Sequence, residues 1–199
     1  MNLRPFPDRS QLVWRRIDLP GREDSRVEKT SVGWRLSGEL NVDESGQSVQ
    51  LHYAIECDRE WRTRSAIVEG IAGDRPVRVA LDADGMGRWT RAGQPQPDIE
   101  GALDIDLGFT PATNTLPIRR LGLRVGEQAP VRSAWLRSPD LRLEPLEQVY
   151  LREADRVFRY RAQVDGEPFT ARLDVDGFGR VLKYEGLWEA ERVDLEEQG

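Results

Sequence analysis

Residues 32–57, VGWRLSGELNVDESGQSVQLHYAIEC, decide the fold class. Val32, Trp34, Leu36, Leu40 and Val42 stand at alternate positions, with Arg35 and Glu39 between them. Alternation of this kind puts the two sets on opposite faces of an extended strand, one face packed and the other wet. A turn at Glu44-Ser45-Gly46 follows, and Val49, Leu51, Tyr53, Ile55 and Cys57 then alternate in the same way. Two such runs around a short Gly-containing turn make a β-hairpin. Gly33 and Gly38 mark bulges, or places where another backbone approaches closely.

Working outward, the same pattern recurs in both directions. Trp14 to Leu19 reads as a short strand stopped by Pro20 and Gly21. The residues before it, about 1–12, read as a frayed arm because Pro5 and Pro7 block regular structure. Downstream, Trp61 to Ile71 alternates, with Arg62 and Arg64 facing away from Trp61, Thr63, Ser65 and Ile67. Val77, Val79 and Leu81 make a fourth strand. Short strands follow near Ser133–Leu136 and Leu141–Leu143, and a second hairpin pairs Phe158–Val164 with Phe169–Val175. Val181–Trp188 ends the pattern, leaving an acidic, frayed tail at about 190–199. No segment keeps a 3.6-residue apolar period over three turns, so helices are few and short. These elements predict a single mainly β domain over residues 1–199. Its architecture is one large curved antiparallel sheet forming an incomplete, half barrel.

Composition narrows the function classes. With 38% hydrophobic and 32% charged residues in 199, many strands must have one face in water or lining a polar cleft. The net charge of −6, from 29 basic and 35 acidic residues intermixed, argues against nucleic acid or an anionic membrane surface as partner. One cysteine, Cys57, allows no intrachain disulfide and points to the cytoplasm. No run approaches the roughly 20 apolar residues of a membrane span, so stable membrane insertion is not expected.

The densest chemistry lies at residues 103–121, LDIDLGFTPATNTLPIRRL. It starts as a strand, breaks into a turn rich in Thr, Pro and Asn, and is expected to restart as a strand carrying Arg119 and Arg120. Asp104 and Asp106 share a strand face about 7 Å apart. That spacing suits an acid/base pair of the glycosidase kind, or ion pairs with Arg119, Arg120 or Arg124. Thr110 to Pro117 is rigid and self-capped. It either closes a sheet corner or forms a pre-shaped polar rim, with Arg119 and Arg120 offered to an anionic or sugar-phosphate group. The six tryptophans suit a sheet core or a cleft for acyl chains and sugar faces.

Two further motifs read as structure. Residues 81–88, LDADGMGR, echo residues 173–180, LDVDGFGR, as a trace of duplication or one hairpin turn used twice. As calcium loops both lack the remaining ligands. His52, the only histidine, and Cys57 do not make a zinc site. Neither a metal nor a cofactor is predicted.

Asp104-Ile105-Asp106-Leu107, Thr110-Pro111 and the run from Thr113 to Leu121 resemble the signature of a glycolipid-binding family of bacterial proteins, formerly a domain of unknown function. Trp61 to Arg64, Asp84-Gly85 with Trp89, Gln148 with Tyr150, and Asp176 to Tyr184 add to the resemblance, which spans most of the chain. The resemblance implies a fold similar to bacterial lipoprotein carriers, a curved incomplete barrel with an apolar concavity. It carries no catalytic residues. The expected function is non-enzymatic: the concave face holds a lipid or glycolipid tail. The polar head is held by Trp61, Arg62, Asp104, Asp106, Thr113, Asn114, Arg119 and Arg120. Two rivals stand beside it. One is a hydrolase of a sugar-containing conjugate using Asp104 and Asp106; the other is a protein-interaction scaffold built on sheet edges or the convex face.

Overall fold

The computed structural model describes residues 3–44 and 46–195, with side chains to 43 and from 46 to 191. The first half of the chain gives β1 (Arg9–Arg16), β2 (Gly21–Lys29), β3 (Gly33–Glu44), β4 (Gln47–Asp58), β5 (Thr63–Ala72) and β6 (Arg75–Ala83). Two short strands follow, β7 (Trp89–Arg91) and β8 (Gln94–Pro95), and then β9 (Asp104–Leu107). After a helix come β10 (Gln128–Leu136), β11 (Leu143–Ala154), β12 (Val157–Val164), β13 (Glu167–Val175), β14 (Val181–Tyr184) and β15 (Trp188–Leu195).

Among the described residues all fifteen strands belong to one sheet, in the order β8-β7-β6-β5-β4-β3-β2-β1-β15-β14-β13-β12-β11-β10-β9. Two meanders therefore run outward from the middle, where β1 pairs with β15. The sheet bends but does not close into a barrel. Its far end is nonetheless stitched to the first half. The Thr63 amide of β5 donates to the Leu103 carbonyl at 3.0 Å. Thr63 Oγ1 accepts from the Ile105 amide, also at 3.0 Å.

The β3–β4 hairpin is in the expected register, and Val49, Leu51, Tyr53, Ile55 and Cys57 are all buried. The expected turn falls partly on Ser45, which lies outside the described residues. Val32, expected on the buried face, is 71% exposed in the loop before β3. At Gly33 a Cβ would stand 2.1 Å from the Cys57 carbonyl, so the backbones do approach there. At Gly38 it would meet the Tyr53 ring, which needs that space to lie flat on β3.

Several expectations are corrected. Residues 9–12 are not a frayed arm, because β1 pairs with β2 on one edge and β15 on the other. Phe6 is buried too, with its ring 5.1 Å from Trp61 and 5.4 Å from Trp34. The expected tail from residue 190 is in strand to Leu195, and residues 196–199 lie outside the described residues. A strand is added at β2, whose inward positions are Glu23, Ser25 and Val27. Two polar residues on the buried face hide the alternation.

The largest correction concerns residues 108–127. Arg119 and Arg120 are not on a strand but on α1 (Thr115–Leu121), preceded by a 3-10 turn at Ala112–Asn114. The reason is topological: β9 and β10 pair in parallel, with Asp104 opposite Ser133 and Leu107 opposite Leu136. A parallel pair cannot be joined by a hairpin and needs a long crossover, commonly helical. The sheet is therefore mixed rather than wholly antiparallel. Pro117 is tolerated near the start of so short a helix, and Gly122, at φ 56°, ends it in the left-handed conformation.

The crossover also fills the hollow. Phe109, Ala112 and Leu116, each at most 1% exposed, pack in one core cluster with Trp14, Leu36, Tyr53 and Ile55. The expected apolar concavity is thus occupied by the chain itself. A second core cluster packs Ile118 of α1 against Val131, Tyr150, Phe158 and Tyr160 of the strands β10–β12.

The echoed motif is one turn, used three times. Oδ1 of Asp84 accepts from the amides of Met86 and Arg88, and Oδ1 of Asp176 accepts from those of Phe178 and Arg180. Oδ1 of Asp58 accepts from Glu60 and Arg62 in the same way. The fourth residue of each turn has positive φ: Gly87 at 99°, Gly179 at 86° and Trp61 at 67°. Trp61 thus occupies a position where glycine is the unstrained residue.

Candidate functional site

A cavity of about 190 Å³ lies between the crossover and the strands β10–β15. Asp106, Leu107, Gly108, Thr110 and Asn114 form one side. Trp135, Leu146, Tyr160, Val164, Phe169, Tyr184, Leu187 and Trp188 form the other. Strand geometry explains the aromatic side. Tyr160 on β12 and Phe169 on β13 stand with ring centroids 6.0 Å apart, and Tyr184 on β14 is 6.1 Å from Tyr160. Gly108 permits the fit at the front, because a Cβ there would stand 2.6 Å from Trp135 Nε1.

The polar side is held by a second layer. Gln148 Nε2 on β11 donates to Asp106 Oδ2 at 2.5 Å, and Ser133 Oγ donates to Gln148 Oε1 at 3.1 Å. Burial raises the Asp106 carboxyl to about 6; the charge on Asp104 adds to this and the Gln148 hydrogen bond opposes it. Asn114 Nδ2 donates to Tyr150 Oη at 2.8 Å. Thr110 Oγ1 donates to Glu23 Oε1 at 2.6 Å. Glu23 is fully buried on β2 and also receives Tyr53 Oη at 2.6 Å. Burial raises the Glu23 carboxyl to about 7 against the pull of those two hydrogen bonds. The arrangement presents stacking surfaces on one side and a carboxylate, an amide and a hydroxyl on the other.

The family described as "Putative glycolipid-binding" matches residues 11–190, which take in every residue lining the cavity. The chain belongs to that family. It is also similar to a crystal structure of a DUF1089 family protein from Pseudomonas aeruginosa. The identity is 32%, over 84% of this chain and 91% of that one, with a TM-score of 0.76. No curated protein matches.

In this family member the expected site residues separate. Asp106 and Asn114 line the cavity. Asp104, on the same side of β9, does not reach it. Arg120 covers that carboxylate, with Nε at 3.0 Å and Nη2 at 2.5 Å. Burial pushes the Asp104 carboxyl up while Arg120 pulls it back down. Thr113 Oγ1 accepts from the Leu107 amide at 3.3 Å and braces β9 from behind. Arg119 lies over the rings of Phe6 and Trp61, at 5.6 and 5.4 Å, and its Nη1 donates to the Arg4 carbonyl. It clamps the N-terminal segment. Trp61 stacks on Trp34 at 4.7 Å, and Arg62 is the last residue of the Asp58 turn. Of the aromatic wall, Trp135 and Trp188 are among the tryptophans read as core or cleft residues, whereas Tyr160, Phe169 and Tyr184 were not expected at the site. The wall's only sequence signal is the set of aromatic residues at alternating strand positions, which equally marks a core.

Proposed function

We propose that this chain is a non-enzymatic binder of a glycolipid and takes the sugar head group into the cavity behind β9. The cavity itself carries the reading, because flat aromatic walls stack on the C–H faces of a sugar ring while Asp106, Asn114 and Thr110 bond its hydroxyls. The family description supports the ligand class. At about 190 Å³ the space is below the roughly 300–1,000 Å³ of clefts that enclose drug-sized ligands, so it suits one ring and not an acyl chain. Phe109, Ala112 and Leu116 fill the hollow where a tail was expected. The acyl portion therefore stays outside the cavity.

The hydrolase reading needs two reachable carboxylates. Here Arg120 covers Asp104, and Asp106 alone faces the cavity. A scaffold reading needs one large exposed apolar patch, whereas among the described residues Ile17, Val32, Met86 and Val125 sit in four separate loops and only Ile67 and Ile71, on β5, share an exposed face. The buried free thiol of Cys57 suits a reducing, cytoplasmic setting. No helix among the described residues is long and apolar enough to cross a membrane.

The test is titration with a short-chain alkyl glucoside below its micelle concentration, followed by tryptophan fluorescence and melting temperature. Trp135 and Trp188 line the cavity and report occupancy. A saturable signal with a raised melting temperature is expected, and a lysolipid without sugar should produce neither. If the glucoside does not saturate, or the lysolipid does equally well, the head-group reading is wrong.

A further inference from the structure

We propose that the head group bound in this cavity carries an ammonium group, which pairs with Asp106. The inference rests on the cavity being the head-group site and adds the charge of its occupant. Three observations carry it. First, Asp104 has Arg120 as its counter-ion, but no Lys, Arg or His among the described residues pairs with Asp106. Its single partner is the neutral amide of Gln148, on Oδ2, which leaves Oδ1 open to the cavity. A half-buried carboxylate without a cation holds its charge at a cost that a bound cation would offset.

Second, the cavity that Asp106 lines is also lined by Trp135, Tyr160, Phe169, Tyr184 and Trp188. Aromatic faces attract organic cations, and a ring of them around one carboxylate is the arrangement that captures ammonium groups. Two of these rings already hold cations: Arg137 lies 5.3 Å from Trp135 and Arg16 lies 5.2 Å from Trp188. Both guanidiniums are neutralised by acids of their own, Asp165 and Asp18. Third, Thr110 Oγ1 already donates to Glu23 and Asn114 Nδ2 to Tyr150, which leaves Asp106 as the charged acceptor of the cavity that no other side-chain cation or hydroxyl among the described residues engages. A metal ion is a poor fit, because one carboxylate among aromatic rings falls short of the six or more oxygens that a hard cation takes.

The occupant's ammonium has two chemical sources, an amino sugar or a choline-like group, and calorimetric titration of the full chain separates them. The probes are methyl glucosaminide, methyl glucoside and tetramethylammonium at neutral pH. Glucosaminide is expected to bind about ten-fold or more tightly than glucoside, with tetramethylammonium competing for the site. In D106N that advantage should vanish. F169L, which keeps the carboxylate, should weaken both cations by ~2- to 30-fold. Binding of tetramethylammonium but of neither sugar would support the ammonium pairing and move its source to a choline-like head. Equal affinity for glucosaminide and glucoside would overturn the pairing and leave the sugar site standing. If none of the three binds, both readings fall.

Discussion

Glu23→Gln tests whether a buried acid is held protonated beneath the crossover. Glu23 is fully buried on β2, and its Oε1 receives both Tyr53 Oη and Thr110 Oγ1 while Oε2 has no partner. That leaves Oε2 as the place for a proton. The folded carboxyl titrates at about 7 against an ordinary 4.5, so between those values the native chain binds the proton that the unfolded chain has lost. Stability contributed by the protonated form is complete below 4.5 and is lost as pH rises through 7. The interval between 4.5 and about 7, at ~1.36 kcal/mol per pH unit, comes to about 3 kcal/mol. Glutamine has the same shape, keeps an oxygen for the two hydroxyls and has no charge to desolvate. In urea unfolding the two chains should match near about pH 4. The variant should then become more stable by about 3 kcal/mol near about pH 8. Asp106, raised to about 6, is present in both chains and drops out of the difference. Parallel curves across this range would refute the reasoning and place the Glu23 carboxylate in an environment that tolerates its charge.

Three further perturbations follow from the same contacts. Arg120→Met leaves the buried Asp104 carboxylate uncompensated and should destabilise by about 3–5 kcal/mol in denaturant unfolding. Adding Asp104→Asn should recover much of that loss, and a double variant no better than the single would refute the pairing. Trp61→Gly relieves a positive φ of 67° but removes the ring packed on Trp34, Phe6 and Arg119. The net loss should be about 2–4 kcal/mol, the cavity cost less the relieved strain, and a stabilised variant would show that the turn dominates. Gly108→Ala places a Cβ 2.6 Å from Trp135 Nε1, so Trp135 must shift, its fluorescence maximum should move, and glucoside affinity should fall.

How much of this was legible in the sequence depends on where each decision is made. The β3–β4 hairpin is local: alternation over residues 32–57 sets which side is buried, and the partner follows along the chain. The Asp58, Asp84 and Asp176 turns are local too, since each carboxylate bonds amides within four residues. Strand β2 was hidden because its inward Glu23 and Ser25 are polar, and Glu23 is accommodated only by Tyr53 and Thr110 from distant segments. Asp104 and Asp106 are equivalent in sequence. Tertiary contacts set them apart, because α1 places Arg120 over Asp104 while Gln148 of β11 bonds Asp106 at the edge of the cavity.

The sequence by itself determined a mainly β chain with few helices, its longest hairpin and its repeated turns, because those rest on residues within a few positions of one another. It also carried the family signature around residues 104–121. Tertiary structure alone decided that the crossover folds as a helix, that it fills the hollow of the sheet, and that five aromatic residues from β10, β12, β13, β14 and β15 line one cavity with Asp106. The physical reason is that parallel pairing and cavity formation join segments far apart in the chain. No local pattern of apolar and polar residues encodes which distant surface each will meet.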